Sequence, residues 1–285
     1  MTDVSLMGAA PSAGSAATLR AVVHLYPSSD GEVVALRGVD LDIRAGSSVA
    51  LLGPSGAGKS TVLALLAGRF VASAGQVLVG GEDVGRMGAA RLARLRALDV
   101  ALVVQGAGRN LLPYATVGDN VWFAQRGAAA RRGPPALDPE QLLHIFDATD
   151  LADQVCGALS PGVQQLAAVI AGVAPLPGLL LLDEPTSRLE PSARDRVLSA
   201  VSTITARFGT TVVLVTHDPV VAESAARAVT IRDGRIGAEG LGGSEYAVVA
   251  PDGSLQLPAD ALGVLPPGSL VRVARCEDHI ELRKQ

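Results

Sequence analysis

Apolar residues along the chain fall into short runs separated by polar, glycine-rich stretches. The pattern predicts strands at 20–25, 33–36 and 39–43, with turns between them. SVALLG (48–53) is a continuous apolar run and predicts a buried strand, followed by a helix over 60–67 that stops at Gly68. SAGQVLVGGEDV (73–84) predicts a strand closed by a Gly-Gly turn, and DVALVVQ (99–105) another buried strand. From about 110 to 175 the periodicity is helical, broken by RGAAARRGPP (126–135), which reads as a loop. GLLLLDEP (178–185) is a buried strand ending in two acids. A helix over 191–208 leads into TTVVLVTHD (210–218), again strand into loop. Strands apolar on both faces, alternating with helices, predict a parallel sheet whose working edge lies at the strand C-termini.

Near residue 241 the texture changes. EYAVVAPDGSLQLP (245–258) reads as a hairpin around Pro-Asp-Gly, ADALGV (259–264) as a short helical piece, PPGS (266–269) as a turn, and LVRVAR and HIELR as two strands. Residues 241–285 are therefore read as a small β-rich module. No repeat of solenoid period is present.

Composition narrows the picture. In 285 residues, 48% hydrophobic content supplies a full core without disulfides, and 3% aromatics leave that core to Ala, Val and Leu. The net charge of −4, with no basic run to offset it, argues against a nucleic-acid partner. Cys156 and Cys276 lack metal spacing and read as small buried thiols. The most apolar stretch, 166–182, is interrupted by Gly172, Pro175, Pro177 and Gly178, so it predicts a helix, a turn and a strand rather than a membrane span. The first 19 residues have an acid at Asp3 and no basic n-region, and are expected to be a disordered tail rather than a secretory signal. A cytoplasmic location follows from these features. Of 24 basic residues only Lys59 and Lys284 are lysines. An otherwise arginine-using chain keeps an ammonium at 59, where a compact point charge fits a tight loop and a planar guanidinium does not.

That lysine belongs to Gly53-Pro54-Ser55-Gly56-Ala57-Gly58-Lys59-Ser60, which satisfies G-x-x-x-x-G-K-[ST] between a strand and a helix. Glycines let the backbone wrap phosphates, and the N–H groups opening the helix bind their oxygens. Lys59 is suited to reach the terminal phosphates and Ser60 to hold Mg²⁺. Asp183 ends a strand and is placed to join the magnesium shell, while Glu184 is one residue further on and can orient or deprotonate an attacking water. Gln105 and His217 sit at equivalent strand ends.

These motifs, in this order and at roughly this spacing, resemble the nucleotide-binding subunit of an ATP-binding cassette (ABC) transporter over residues 20–235. The resemblance implies an α/β fold of P-loop NTPase type. Its parts would be a RecA-like parallel core, an antiparallel β subdomain and a helical subdomain over about 106–175, all within 20–240, with the β-rich module after it. It further implies that ATP and Mg²⁺ are the cofactors, that Tyr26 stacks on adenine and that Thr61 assists at the α-phosphate. Gln105 would touch Mg²⁺ and the attacking water, and Lys59, Glu184 and His217 would act in hydrolysis. Implied partners are membrane permease subunits at the inner face of the membrane and a second cassette. NLLPYATVGDNV (110–121) resembles the coupling region of lipoprotein-release and macrolide-export cassettes.

The family signature L-S-G-G-Q is altered here to Leu159-Ser160-Pro161-Gly162-Val163, followed by Gln164, Gln165 and Leu166. By the resemblance this loop completes the partner's ATP site, with Ser160 and Gly162 as the contacts in trans. Pro161 falls at the first helical position, which suits its fixed φ, so the helix end keeps its attraction for phosphate. It deletes one N–H donor; if that donor acts in the transition state, its loss costs about 3 kcal/mol. Ser187-Arg188-Leu189-Glu190 ends in Glu where the family has Asp. Every residue on the chain's own side of the phosphates is kept, and only the trans element is worn. The expectation is secure ATP binding with slower hydrolysis, in a homodimer or beside a better-conforming cassette. The alternatives are a soluble cassette ATPase and an ATP-binding regulator with weak hydrolysis. Residues 241–285 resemble the swapped-hairpin module of small transition-state regulators, but six acids against four bases favour dimerisation or regulation over DNA binding; a simple β extension of the cassette is the alternative on the sequence pattern.

Overall fold

The computed structural model describes residues 14–285 apart from 30, 134, 242–243, 248, 250–252, 254, 256, 258–260, 267, 278 and 285. The strands are β1 (Ala17–Ser28), β2 (Gly31–Ile43), β3 (Ser48–Leu52), β4 (Ala74–Val79), β5 (Glu82–Asp83), β6 (Val100–Val103), β7 (Leu179–Asp183), β8 (Thr211–Thr216), β9 (Arg227–Arg232), β10 (Arg235–Leu241), β11 (Ser244–Ala247), β12 (Val271–Arg275) and β13 (Ile280–Lys284). The helices are α1 (Lys59–Leu66), α2 (Ala89–Arg94), α3 (Val117–Arg132), α4 (Pro139–Ile145), α5 (Pro161–Val173), α6 (Pro191–Phe208), α7 (Pro219–Ala222) and α8 (Ala261–Val264).

The main sheet runs β11-β10-β9-β3-β8-β7-β6. Every pairing from β9 through β6 is parallel, while β10 and β11 add antiparallel strands at one edge. The four leucines of β7 show why the sheet is buried on both sides. Leu180 and Leu182 pack into the core that holds α3, α5 and α6. Leu179 and Leu181 pack into the opposite core, with α1 and the antiparallel sheet β2-β1-β4-β5. Because both faces are covered, the strands read as apolar runs without alternation. The expected α/β architecture of parallel core, antiparallel sheet and helical region is present.

Three local readings differ from the sequence expectation. The segments 33–36 and 39–43 belong to one strand, β2: Gly38 (φ 76°) takes a bulge where the register jumps from Val22↔Val39 to Val23↔Arg37. The stretch read as a loop at 126–135 is helical as far as Arg132, because its alanines and arginines are strong helix formers around a single exposed glycine. Gln125 Nε2 then donates to Leu137 O (2.8 Å) and ties the turn back onto the helix. Third, the predicted N-terminal tail is ordered from residue 14. Ser15 N donates to Gly178 O (2.8 Å) and β1 begins at Ala17; residues 1–13 lie outside the described set.

Past residue 241 the main sheet continues into β11. A bridge Val249↔Leu255 falls in the stretch read as a Pro-Asp-Gly hairpin, though Pro251 and Asp252 lie outside the described residues. β12 and β13 pair antiparallel, Val271↔Lys284 to Arg275↔Ile280. Among the described residues no helix is long and apolar enough to cross a membrane.

Candidate functional site

The C-terminal ends of β3, β7 and β8 bring the motif residues together. After β3 the chain turns through Gly56 (φ 82°) and Gly58 (φ 100°), conformations that favour glycine. Gly58 is also pressed against the backbone of β2: a Cβ there would stand 2.5 Å from Ala35 O. The first turn of α1 carries neither an acidic residue nor a side-chain cap, so its N–H groups are open to an anion. Lys59 is buried, and its ammonium donates to Gly53 O (2.7 Å) and Pro54 O (2.8 Å). Burial pushes its pKa down, while the nearby carboxylates of Glu184 and Asp183 push it back up.

Asp183 closes β7 with its Oδ1 accepting a hydrogen bond from Ser60 Oγ (3.0 Å). Burial raises the Asp183 pKa, the Ser60 bond lowers it, Glu184 raises it and Lys59 lowers it. Glu184 has φ 51°, a left-handed conformation that costs a non-glycine residue about 1–3 kcal/mol. It is held there by its N–H on Val215 O (3.0 Å) and by His217, whose Nδ1 lies 2.7 Å from Oε2 and 3.0 Å from Oε1. The Glu184 side chain is largely buried (13% exposed) and His217 more than half exposed (58%), so the imidazole caps the carboxylate from the solvent side. Gln105, two residues beyond β6, lines the same cleft, which has a volume of about 680 Å³.

Tyr26 lines that cleft too, and its hydroxyl donates to Thr61 Oγ1 (3.2 Å). Its ring stands edge-on to His24 (4.7 Å) and to Phe70 (5.8 Å), and the latter two stack on each other (5.8 Å, 26°). Sequence reasoning missed both neighbours. His24 was within reach, two residues from Tyr26 and so on the same face of β1; nothing in the sequence pointed to Phe70. Arg188, with φ 62°, also lines the cleft, and no motif read from the sequence assigns it a role.

Ser160 and Gly162 are not among the residues lining this cleft. Ser160 is the N-cap of α5 (φ −62°, ψ 153°) but makes no side-chain cap bond, and Pro161 is the first helical residue. Gly162 abuts α6: a Cβ there would stand 2.5 Å from Ala193 Cβ. This contact joins the start of α5 to the start of α6, just past Glu190.

For a divalent cation the donor set is suitable. Ser60 Oγ and Asp183 Oδ1 are hard oxygens already side by side, with Gln105 on the same cleft. Among the described residues no cluster of three or more His, Cys, Asp or Glu side chains is built to hold a metal alone. Mg²⁺ is commonly held by one or two protein oxygens together with substrate phosphates and water.

Residues 36–187 match the family described as ABC transporter. The macrolide export ATP-binding/permease protein MacB of Shigella flexneri is 34% identical over 218 residues, 76% of this chain but only 33% of MacB. The chain thus spans about a third of the length of its MacB relatives. The lipoprotein-releasing system ATP-binding protein LolD of Geobacter metallireducens is 35% identical over 214 residues, 75% of this chain and 94% of LolD. Among solved structures, the dimeric post-hydrolysis state of the ATP-binding cassette MJ0796 bound to ADP and Pi has a TM-score of 0.69 at 26% identity, covering 79% of this chain and 98% of that one.

Proposed function

This chain belongs to the ABC transporter family, and we propose that it is a transporter's ATP-binding and ATP-hydrolysing subunit, acting on a separate membrane permease. The observation that carries the reading is the convergence of Tyr26, Lys59, Ser60, Thr61, Gln105, Glu184 and His217 on one cleft, with Asp183 hydrogen-bonded to Ser60 beside it. Gly53, Pro54, Ser55, Gly56, Ala57 and Gly58 wrap the β- and γ-phosphates with their backbone, and Lys59 leaves its loop carbonyls to meet the phosphate oxygens. Tyr26 takes the adenine. Ser60, Asp183 and Gln105 would hold Mg²⁺, which when bound would neutralise developing charge on the phosphates. Glu184 accepts a proton from the attacking water. His217, which holds the Glu184 carboxylate and lines the same cleft, acts with it in hydrolysis. Ser160 and Gly162 complete the cleft of a second cassette, either another copy or a chain with an intact signature.

Exposed aromatics on the segment after Gln105, Tyr114 (77%) and Phe123 (60%), support a permease docking there, at the inner face of the membrane. The lost N–H at Pro161 favours slow turnover. The test compares wild type with Glu184→Gln. The substitution is expected to keep MgATP binding, abolish turnover and accumulate a closed dimer. Equal turnover in both would refute the assignment of the base.

A further inference from the structure

At Tyr26 the wall of the nucleotide cleft is built by two segments far apart in the chain. His24 and Tyr26 come from β1, and Phe70 from the loop that follows α1. Gly68 (φ 63°) turns the chain out of α1, and the loop is then tied to β1 where Leu25 N donates to Ser73 Oγ (3.1 Å). The helix that carries Lys59 in its first turn thus leads into Phe70 past its last.

Tyr26 is held at both ends. Its hydroxyl donates to Thr61 Oγ1 (3.2 Å) in the first turn of α1. Its ring meets His24 at 4.7 Å and Phe70 at 5.8 Å, both nearly at right angles (87° and 88°). His24 and Phe70 are themselves 5.8 Å apart, so the three ring centres form a compact triangle. Both neighbours therefore stand to one side of Tyr26 and cannot sandwich it. At least one face of its ring is left clear of them, on a residue that lines the cleft. His24 adds an independent observation. It is 7% exposed, and its Nδ1 is buried without a hydrogen-bond partner. That atom costs stability that an aliphatic side chain at the same place would not. What the imidazole supplies in return is a flat ring that fits at right angles to Tyr26 and stacks on Phe70.

We propose that His24 and Phe70 are positioning residues for nucleobase recognition: they fix the plane of Tyr26 so that its open face receives the base. Neither lines the cleft itself, so both act through Tyr26. The proposal rests on the reading of the cleft as an ATP site with Tyr26 at the adenine. A device of this kind strengthens the grip on the base and leaves the grip on the phosphates unchanged.

Equilibrium dialysis of the full chain against MgATP and against Mg-tripolyphosphate, which has the phosphates and no base, tests it. Phe70 is 45% exposed, so its variants report even where a substitution at the buried His24 disturbs folding. His24→Leu and Phe70→Leu are each expected to weaken MgATP binding about twofold to tenfold, the worth of an oriented aromatic pair, with Mg-tripolyphosphate binding unchanged. Phe70→Tyr keeps the ring and is expected to bind MgATP as the wild type does. In a Tyr26→Ala background Phe70→Leu is expected to have no further effect, because the ring it acts through is gone. Unchanged MgATP affinity in Phe70→Leu, an equal loss for tripolyphosphate, or a loss that persists without Tyr26 would each overturn the positioning role while the cleft reading stands. If Tyr26→Ala binds MgATP as tightly as the wild type, the placing of adenine at Tyr26 falls and the positioning role with it.

Discussion

Pro161 stands where the family resemblance puts a signature glycine, and its position explains why it is tolerated. At the first turn of α5 its missing N–H has no helical partner to lose, and its φ suits the helix. The cost is confined to what that N–H would do for a phosphate. Pro161→Gly restores the donor and is expected to raise the turnover of MgATP by about tenfold or more, up to the roughly 3 kcal/mol such a donor is worth. Steady-state phosphate release measures it, and an unchanged rate would mean that the donor has no part in the transition state. Local motifs such as Gly53–Ser60 and Asp183-Glu184 could be read from the sequence because neighbouring residues alone define them. Phe70 could not, because what matters about it is a neighbour far along the chain: it lies 44 positions from Tyr26 yet meets it edge-on.

Among the elements, the four leucines of β7 are legible as a doubly buried strand, whereas Gly127 and the arginines near it hide the true end of α3 at Arg132. Its start is well fixed, with a capping box between Thr116 and Asp119. Gly127 itself is exposed in mid-helix, and a Cβ there meets nothing within 4 Å. Gly127→Ala is therefore expected to stabilise the fold by about 0.5–1 kcal/mol, seen as a higher urea midpoint at unchanged slope. A loss of stability would mean that this stretch is not helical. The bulge at Gly38 escaped the sequence reading for a related reason, since a glycine inside a strand and a glycine between two strands look alike without the partner strand's register. Of the arginines at 91–96, Arg94 and Arg96 are exposed, whereas Arg91 pairs with Glu82 of β5 and fastens α2 to the antiparallel sheet.

Across the whole molecule, the parallel sheet does what the sequence promised: the strand ends place the motif residues in one cleft although they lie more than a hundred residues apart. The start of α5, with Ser160 and Gly162, stands outside that cleft and is joined to α6 through Gly162 and Ala193. Under the function proposed, that element completes the cleft of a second cassette, which makes the chemistry that of a pair. The account's central claim is that the loop around Lys59 grips a magnesium triphosphate. Equilibrium binding of MgATP to wild type and to Lys59→Ala tests it most directly. The account predicts saturable binding by the wild type and a loss of about tenfold to a hundredfold in the variant, the worth of a charge-assisted hydrogen bond. Absent binding, or equal affinity in the two proteins, would contradict it.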